Sequence, residues 1–305
     1  MKLLVIGGNR FMGKSLAIQL AMRGHEVTAF NRGSLPTPVP VVHDFALLKG
    51  RWDAVIDFNC MTAEDARRML SLHTNHYVMI STGQVYLVRE GLTGYAKESD
   101  YDGPVMASHA DHEDWLYGIE KRAAEDVVAA AGIRTTRLRI PMVNGEGDWK
   151  RRFDAYLWRM FDRGPLFVPD PDVVTRHVYR KSVVDALVAI VERKIGGAFN
   201  LAQEELLPLR ELIERIGHAA GVTPTIVAHP LDGLDVRAAS PYSSRWMSRL
   251  DPAKIIAELD LKQTPAAQYI ASTVQHILAN WSTPPDGYAQ RATELALAHR
   301  RSPSA

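Results

Sequence analysis

The chain has very little cysteine: Cys60 stands alone among 305 residues. No disulfide can form within it, and a lone thiol points to a reducing compartment. An excess of charge of one sign is also missing. The 36 Lys and Arg nearly balance 35 Asp and Glu, for a formal net charge of +1. Nothing in that balance draws the protein toward nucleic acid, an anionic membrane or an acidic partner. No apolar run approaches the ~20 residues that cross a bilayer, and there are no internal repeats. The first residues already read as a core strand, with no room for a signal peptide before them, so a soluble, cytoplasmic protein is expected. With 46% hydrophobic and 23% charged residues the composition is that of a globular protein. The length suits one large α/β domain or a domain with a smaller lobe.

What is present is concentrated at the start. Leu3-Leu4-Val5-Ile6 form a short apolar run that breaks into Gly7-Gly8-Asn9-Arg10-Phe11-Met12-Gly13. Lys14–Arg23 follows, with Leu16, Ala17, Leu20 and Ala21 on one helical face. Strand, glycine-rich turn and helix together make a dinucleotide-phosphate cradle. The backbone turns sharply, approaches a pyrophosphate closely and aims helix N–H groups at it. Gly7, Gly8, Asn9, Arg10, Phe11, Met12 and Gly13 are therefore candidate cofactor contacts.

Strand-like and helix-like segments then alternate. Strands are expected at 2–6, 26–30, 39–42, 54–58, 76–81 and 135–139, with helices at 14–23, 63–72 and 111–131. Such alternation signals a parallel sheet covered by helices on both faces. Beyond Pro141 the rhythm changes. Helices are expected at 151–162, 182–194, 209–220, 252–259 and 266–281, with a short strand at 198–201, and 224–248 has no clear pattern. The fold class is α/β: a doubly wound parallel (Rossmann) sheet in residues 1–143. A smaller substrate lobe in 144–305 is interleaved with the last sheet elements.

Three further segments resemble the extended short-chain dehydrogenase/reductase superfamily of NAD(P)-dependent epimerases, dehydratases and reductases. Ile80-Ser81-Thr82-Gly83-Gln84-Val85-Tyr86 resembles its S-[ST]-x-x-V-Y strand end. Tyr117-Gly118-Ile119-Glu120-Lys121 matches its Y-G-x-x-K element, and Arg139-Ile140-Pro141 resembles its R-x-P segment. Asp185 and Ala198-Phe199-Asn200-Leu201 are weaker echoes. The segments run in the family's order from Met1 to about Leu261, and that order is more informative than any single motif.

The resemblance implies an oxidoreductase in which Thr82, Tyr117 and Lys121 are catalytic. A tyrosine hydroxyl, with an ordinary pKa near 10, is a poor base near neutrality. A lysine one helical turn away lowers that pKa and holds the nicotinamide ribose. Thr82 bonds the substrate oxygen while Tyr117 moves the proton. Ser81 and Pro141 join the cofactor contacts, and Gln84 joins the substrate contacts.

Some positions depart from the family pattern. Arg10 replaces the middle glycine of the turn, and arginine avoids positive φ, so the loop is expected to leave the usual path, with Phe11 packed under it. Turns with this arginine resemble an atypical branch containing chloroplast stem-loop RNA-binding proteins and bacterial reductases. The second strand ends Phe30-Asn31-Arg32 where NAD-specific members carry an acidic residue. Asn31 removes that charge, and Arg32, with Arg10, can meet a 2′-phosphate, which favours NADP(H) over NAD(H). Asp44-Phe45 lies where the family contacts adenine. Gly83-Gln84 replaces the Asp-Glu pair of the 4,6-dehydratases, which excludes that elimination. Ketoreduction and epimerisation stay open, with ketoreduction favoured.

The histidines and acids of 108–114 precede the catalytic helix, and a helix cap explains the acids. No metal site is expected, since no distant ligand pair is evident. Asn144, Arg152, Arg176 and His177 are candidate substrate contacts in the lobe, and a basic grip on a sugar-nucleotide diphosphate competes there with a solvated helix start. Trp149, Trp158 and Tyr179 can stack on a ring or fill the core. The 286–300 segment, with Ala and Leu at helical spacing, can cover the sheet or meet a second subunit. A homodimer is expected by analogy alone. The competing class is a non-catalytic nucleotide-dependent regulator or RNA-binding protein on the same fold.

Overall fold

The computed structural model describes residues 1–31, 33, 37–229 and 249–301. The chain forms two compact units. The first comprises Met1–Val143, Arg180–Ala202 and Ser248–Gln263, and the second Asn144–Tyr179, Gln203–Met247 and Thr264–Ala305.

In the first unit the elements are β1 (Lys2–Ile6), α1 (Phe11–Met22), β2 (Glu26–Phe30), β3 (Val41–Val42), β4 (Ala54–Asp57), α2 (Ala63–Leu70), β5 (His76–Thr82), α3 (Gln84–Leu87), α4 (His112–Ala129), β6 (Arg134–Ile140), α5 (Arg180–Glu192), β7 (Gly197–Asn200) and α6 (Ala253–Leu259). The seven strands make one sheet in the order β7-β6-β5-β4-β1-β2-β3, and every pairing is parallel. The apolar runs follow from that architecture. Leu3, Leu4 and Val5 are wholly buried, because a central parallel strand has helices over both faces and no solvent side. The chain winds outward from β1 in both directions, so a crevice opens beyond the carboxyl ends of β1 and β4. The glycine turn, the end of β4 and the end of β5 all sit on that edge.

Local chemistry explains the boundaries. Thr62 and Asp65 form a reciprocal capping box that starts α2. The helix α1 begins at Phe11, three residues before the expected start, because the glycine turn runs straight into it. The third strand shrinks to Val41–Val42.

The second unit packs three helices, Arg152–Phe161, Leu209–Ala219 and Ala266–Ala279, against one another. The terminal helix Arg291–Arg301 lies on the parallel pair formed by Leu166–Pro169 and Ile226–His229. This two-stranded pair is separate from the seven-stranded sheet that the segment was expected to cover. A buried charge lock holds the terminal helix. Glu294 accepts from Arg159 Nε at 2.6 Å and from the Phe167 N–H at 3.1 Å. Arg291 reaches Glu294 at 3.0 Å and Asp162 at 2.7 Å. In the unpatterned stretch only Ile226–His229 is assigned, and 230–248 lie outside the described residues. No helix among the described residues is long and apolar enough to cross a membrane.

Candidate active site

The glycine turn is built for close approach. Gly7 takes φ +83°, and a Cβ on Gly13 would sit 2.3 Å from the Gly7 carbonyl oxygen. Any side chain at 13 would push α1 off the turn. A Cβ on Gly8 would press on Val5 and Ala29 at 3.2 Å. The expected difficulty at Arg10 does not arise, because Arg10 is extended, at φ −137° and ψ 152°. Phe11 takes the left-handed conformation instead, at φ +41°, and is half-buried. Arg10 gives α1 no side-chain cap, and the first turn carries no acidic residue. Its N–H groups, running through Phe11, Met12 and Gly13, are left for an anion.

Next along the edge, β5 ends at Thr82, whose Oγ1 accepts the Gln84 N–H at 3.2 Å. The helix α4 passes close beside it because residue 118 is glycine. A Cβ there would lie 2.6 Å from Val88 Cγ1 and 2.9 Å from the Gln84 carbonyl oxygen. This approach brings Tyr117 to Thr82. Burial pushes the Tyr117 phenol above its ordinary pKa, and the Thr82 hydroxyl pulls it partly back. Lys121, one turn on, is 3% exposed and donates to the carbonyls of Cys60 at 2.6 Å and Ile80 at 3.1 Å. Burial pushes its ammonium below the usual lysine range, against the opposing pull of Cys60, Asp57, Glu125 and Asp65. Thr82 is the group that lowers the Tyr117 pKa, while Lys121 is anchored on backbone carbonyls and keeps one N–H to give.

At the end of β2, Asn31 is 8% exposed, and its Oδ1 accepts the Gly33 N–H at 2.8 Å. Its Nδ2 is buried and has no partner among the described residues, a donor open to an acceptor beside the turn. That orphan, the uncapped α1 and the space that Gly7 and Gly13 leave together fit an adenine dinucleotide. Arg32 lies outside the described residues. Asp44 caps a short 3₁₀ turn by accepting the Ala46 N–H at 2.9 Å. Phe45 packs edge-on against Phe30 with ring centres 6.2 Å apart. Ser81 is 3% exposed and donates its hydroxyl to Glu125, on the helix behind the strand. It faces the core, away from a cofactor contact. Pro141 is buried, directly after β6.

In the second unit, Asn144 Nδ2 and His177 Nδ1 lie 3.1 Å apart. Burial, aided by the Arg152 cation, drops His177 to about 4, so it is neutral near pH 7. Arg152 Nη1 bonds Asp148 at 2.9 Å. These three come together, whereas Arg176 donates to the Gln203 carbonyl at 2.9 Å. Trp158 stacks on Trp281 at 4.9 Å and Tyr179 on Tyr269 at 5.0 Å, while Trp149 is exposed. His109 Nδ1 accepts the Asp111 N–H at 3.0 Å, and Glu113 and Asp114 occupy the first turn of α4. Among the described residues no group of three or more His, Cys, Asp or Glu is placed to hold a metal ion.

Sequence reasoning missed two buried acids. Asp57 ends β4, accepts Tyr77 OH at 2.7 Å and the Asn59 N–H at 2.7 Å, and is raised in pKa by burial. Glu125 holds Arg139 on β6. The available signal for Glu125 was its place four residues beyond Lys121, on the same helical face.

No family model matches the chain. One curated relative that it matches is the chloroplast stem-loop binding protein of 41 kDa b from Arabidopsis thaliana. The two are 23% identical over 259 residues, 75% of this chain and 65% of that protein. The chain thus spans just under two thirds of that relative's length. Among solved structures, UDP-glucuronic acid 4-epimerase from Bacillus cereus, determined with UDP-glucuronic acid and NAD, superposes with a TM-score of 0.70 at 18% identity. The match covers 92% of this chain and 100% of that one. The enzyme WbmH from Bordetella bronchiseptica, determined with NAD+, gives 0.71 at 18% identity, over 91% and 98%. At this level of identity the likeness is one of fold, the α/β architecture with its parallel sheet.

Proposed function

We propose that the protein is an NAD(P)-dependent oxidoreductase of the extended short-chain type, acting at a carbonyl or hydroxyl carbon of a sugar-like, nucleotide-activated small molecule. The observation that carries this reading is the approach of Tyr117 to Thr82, with Lys121 buried one turn on, at the sheet edge that also holds the glycine turn. Gly7, Gly8, Gly13 and the first N–H groups of α1 would take the pyrophosphate, Asn31 the adenosine ribose, and the remaining N–H of Lys121 the nicotinamide ribose. A bound nicotinamide supplies the hydride donor or acceptor. Thr82 orients the reacting oxygen, and Tyr117 gives it a proton or takes one away. The lean of Asn31 and Arg32 toward NADP(H), a cofactor pool that is normally kept reduced, favours ketoreduction over epimerisation.

The absence of an acid at Asn31, with two arginines near in sequence, favours NADP(H), although the solved structures of like fold were determined with NAD. Titrating both dinucleotides decides between them. We further place the protein in the cytoplasm as a homodimer, which sedimentation tests. The chemistry is tested with cofactor labelled at the transferring carbon. Label appearing in product supports reduction. Label retained on tightly bound cofactor while the sugar inverts supports epimerisation. Tight, salt-sensitive binding of structured RNA, with neither dinucleotide bound, would favour the non-catalytic alternative.

A further inference from the structure

Behind the catalytic edge five polar side chains, brought from distant places in the chain, are buried as one cluster. Glu125 is 1% exposed and Arg139 2%. Arg139 donates to Glu125 through Nε at 3.0 Å and through Nη2 at 2.6 Å, and Ser81 donates its hydroxyl to the same carboxylate. On its other side Arg139 Nη1 donates to Tyr86 OH, which donates to Asn200 Oδ1 at 2.9 Å. Asn200 Nδ2 then donates to the Ala96 carbonyl at 2.8 Å. Three of the motifs read from the sequence, 80–86, 139–141 and 198–201, therefore converge here with Glu125.

A buried ion pair is a poor source of net stability, because the cost of desolvating two charges offsets much of their attraction. What a forked guanidinium–carboxylate contact supplies is fixed distance and orientation. The groups it joins are those whose spacing the reaction depends on. Ser81 is the residue before Thr82, and Glu125 lies one turn beyond Lys121 and two beyond Tyr117. Resting on the function proposed above, we propose that Glu125 and Arg139 are positioning residues, which clamp the end of β5 carrying Thr82 to the face of α4 carrying Tyr117 and Lys121.

Glu125 also bears on Lys121 by charge. The groups facing that ammonium are Asp57 from β4, Cys60 from the loop after it, Asp65 from α2, and Glu125 from α4 itself. Neutralising Glu125 removes one support for the charged lysine and strands the Arg139 cation behind it. Both effects push Lys121 further down.

The test uses Glu125→Gln, Ser81→Ala and the paired Glu125→Gln/Arg139→Met, with two readouts. NMR of protein labelled with ¹⁵N-lysine follows the Lys121 midpoint without cofactor, and steady-state kinetics separates kcat from KM. For E125Q we expect kcat to fall about 100-fold with KM within about threefold, and the Lys121 midpoint to move down. S81A keeps the ion pair. It should lose about tenfold in kcat at an unchanged midpoint and unchanged dinucleotide affinity. The paired variant should regain thermal stability relative to E125Q without regaining turnover. Wild-type kcat in S81A, or recovery of stability and turnover together in the paired variant, overturns the proposal, and these two variants decide the matter if E125Q does not fold. A wild-type protein that binds no dinucleotide defeats the functional reading, and the Lys121 midpoint in E125Q still tests the clamp.

Discussion

Replacing Gly118 by Ala pits helix propensity against the approach of α4 to α3. Propensity alone makes alanine the better residue in a helix interior, by about 1 kcal/mol. The structure argues the other way. The new Cβ would lie 2.6 Å from Val88 Cγ1 and 2.9 Å from the Gln84 carbonyl oxygen. Val88 can turn aside, but the carbonyl is backbone and cannot. Restoring ordinary contact moves α4 by roughly half an ångström, and such overpacking costs about 1–3 kcal/mol. Net stability should therefore change little or fall by up to about 2 kcal/mol. Activity should suffer more, because the residue displaced is Tyr117 and the residue pushed is two positions from Thr82. A misplacement of about 1 Å costs up to about 100-fold, so about tenfold in kcat is expected at half that distance. On the proposed reading the glycine turn and Asn31 supply most dinucleotide contacts and Lys121, on the displaced helix, one hydrogen bond, so dinucleotide affinity should fall by no more than about fivefold. Urea denaturation, steady-state kinetics and a fluorescence titration measure the three quantities. A variant more stable than the parent with full turnover would refute the reasoning, since α4 would then have room to spare.

Three other outcomes are expected. Tyr117→Phe should lower turnover by about 10²–10⁴-fold while leaving dinucleotide affinity nearly intact, and surviving turnover would show that another group moves the proton. Burial, with Arg134 adding to it, depresses His76 to about 4, so the folded pKa lies below the unfolded value and the unfolded chain takes up the proton first on acidification. The contribution of His76 is complete above pH 6.5 and is lost as the pH falls toward 4, a change of about 3 kcal/mol. His76→Gln should flatten that acid decline in denaturant titrations, and an unchanged slope would count against the depressed histidine. Glu294→Gln strands Arg159 and should cost the second unit about 3–5 kcal/mol, read as a lowered melting transition; a loss under about 1 kcal/mol would mean that the lock is solvated.

Much of the first unit was legible because its physics is local. Lys2–Ile6 appears as an apolar run and Glu26–Phe30 as an alternating one, and both strands fall where they were expected. Glycine at 7 and 13 marks a turn that no other residue can make. What stayed hidden depends on contacts between residues far apart in sequence. The interleaving of the later chain with the sheet was expected, but nothing in the order of residues shows that Ser248–Gln263 also belongs to the first unit, that Ser81 turns inward to Glu125, or that Cys60 and Ile80 claim Lys121. The exchange of backbone roles between Arg10 and Phe11 was equally out of reach, since it reflects how the helix seats on the turn. The second unit was the least legible. Its strands are two to four residues long, too short for periodicity to register, and its buried arginines resemble surface charge until Glu294 and Asp162 are seen beside them.

The central claim is that the glycine turn cradles a nicotinamide dinucleotide within reach of Tyr117. Calorimetric titration of the wild-type protein and of Gly13→Ala with NAD(H) and NADP(H) tests it most directly. The account requires one dinucleotide bound per chain by the wild type, and loss of that binding in the variant, whose Cβ would collide with the Gly7 carbonyl. Wild-type protein that binds neither cofactor, or a variant that binds as tightly as the parent, would contradict it.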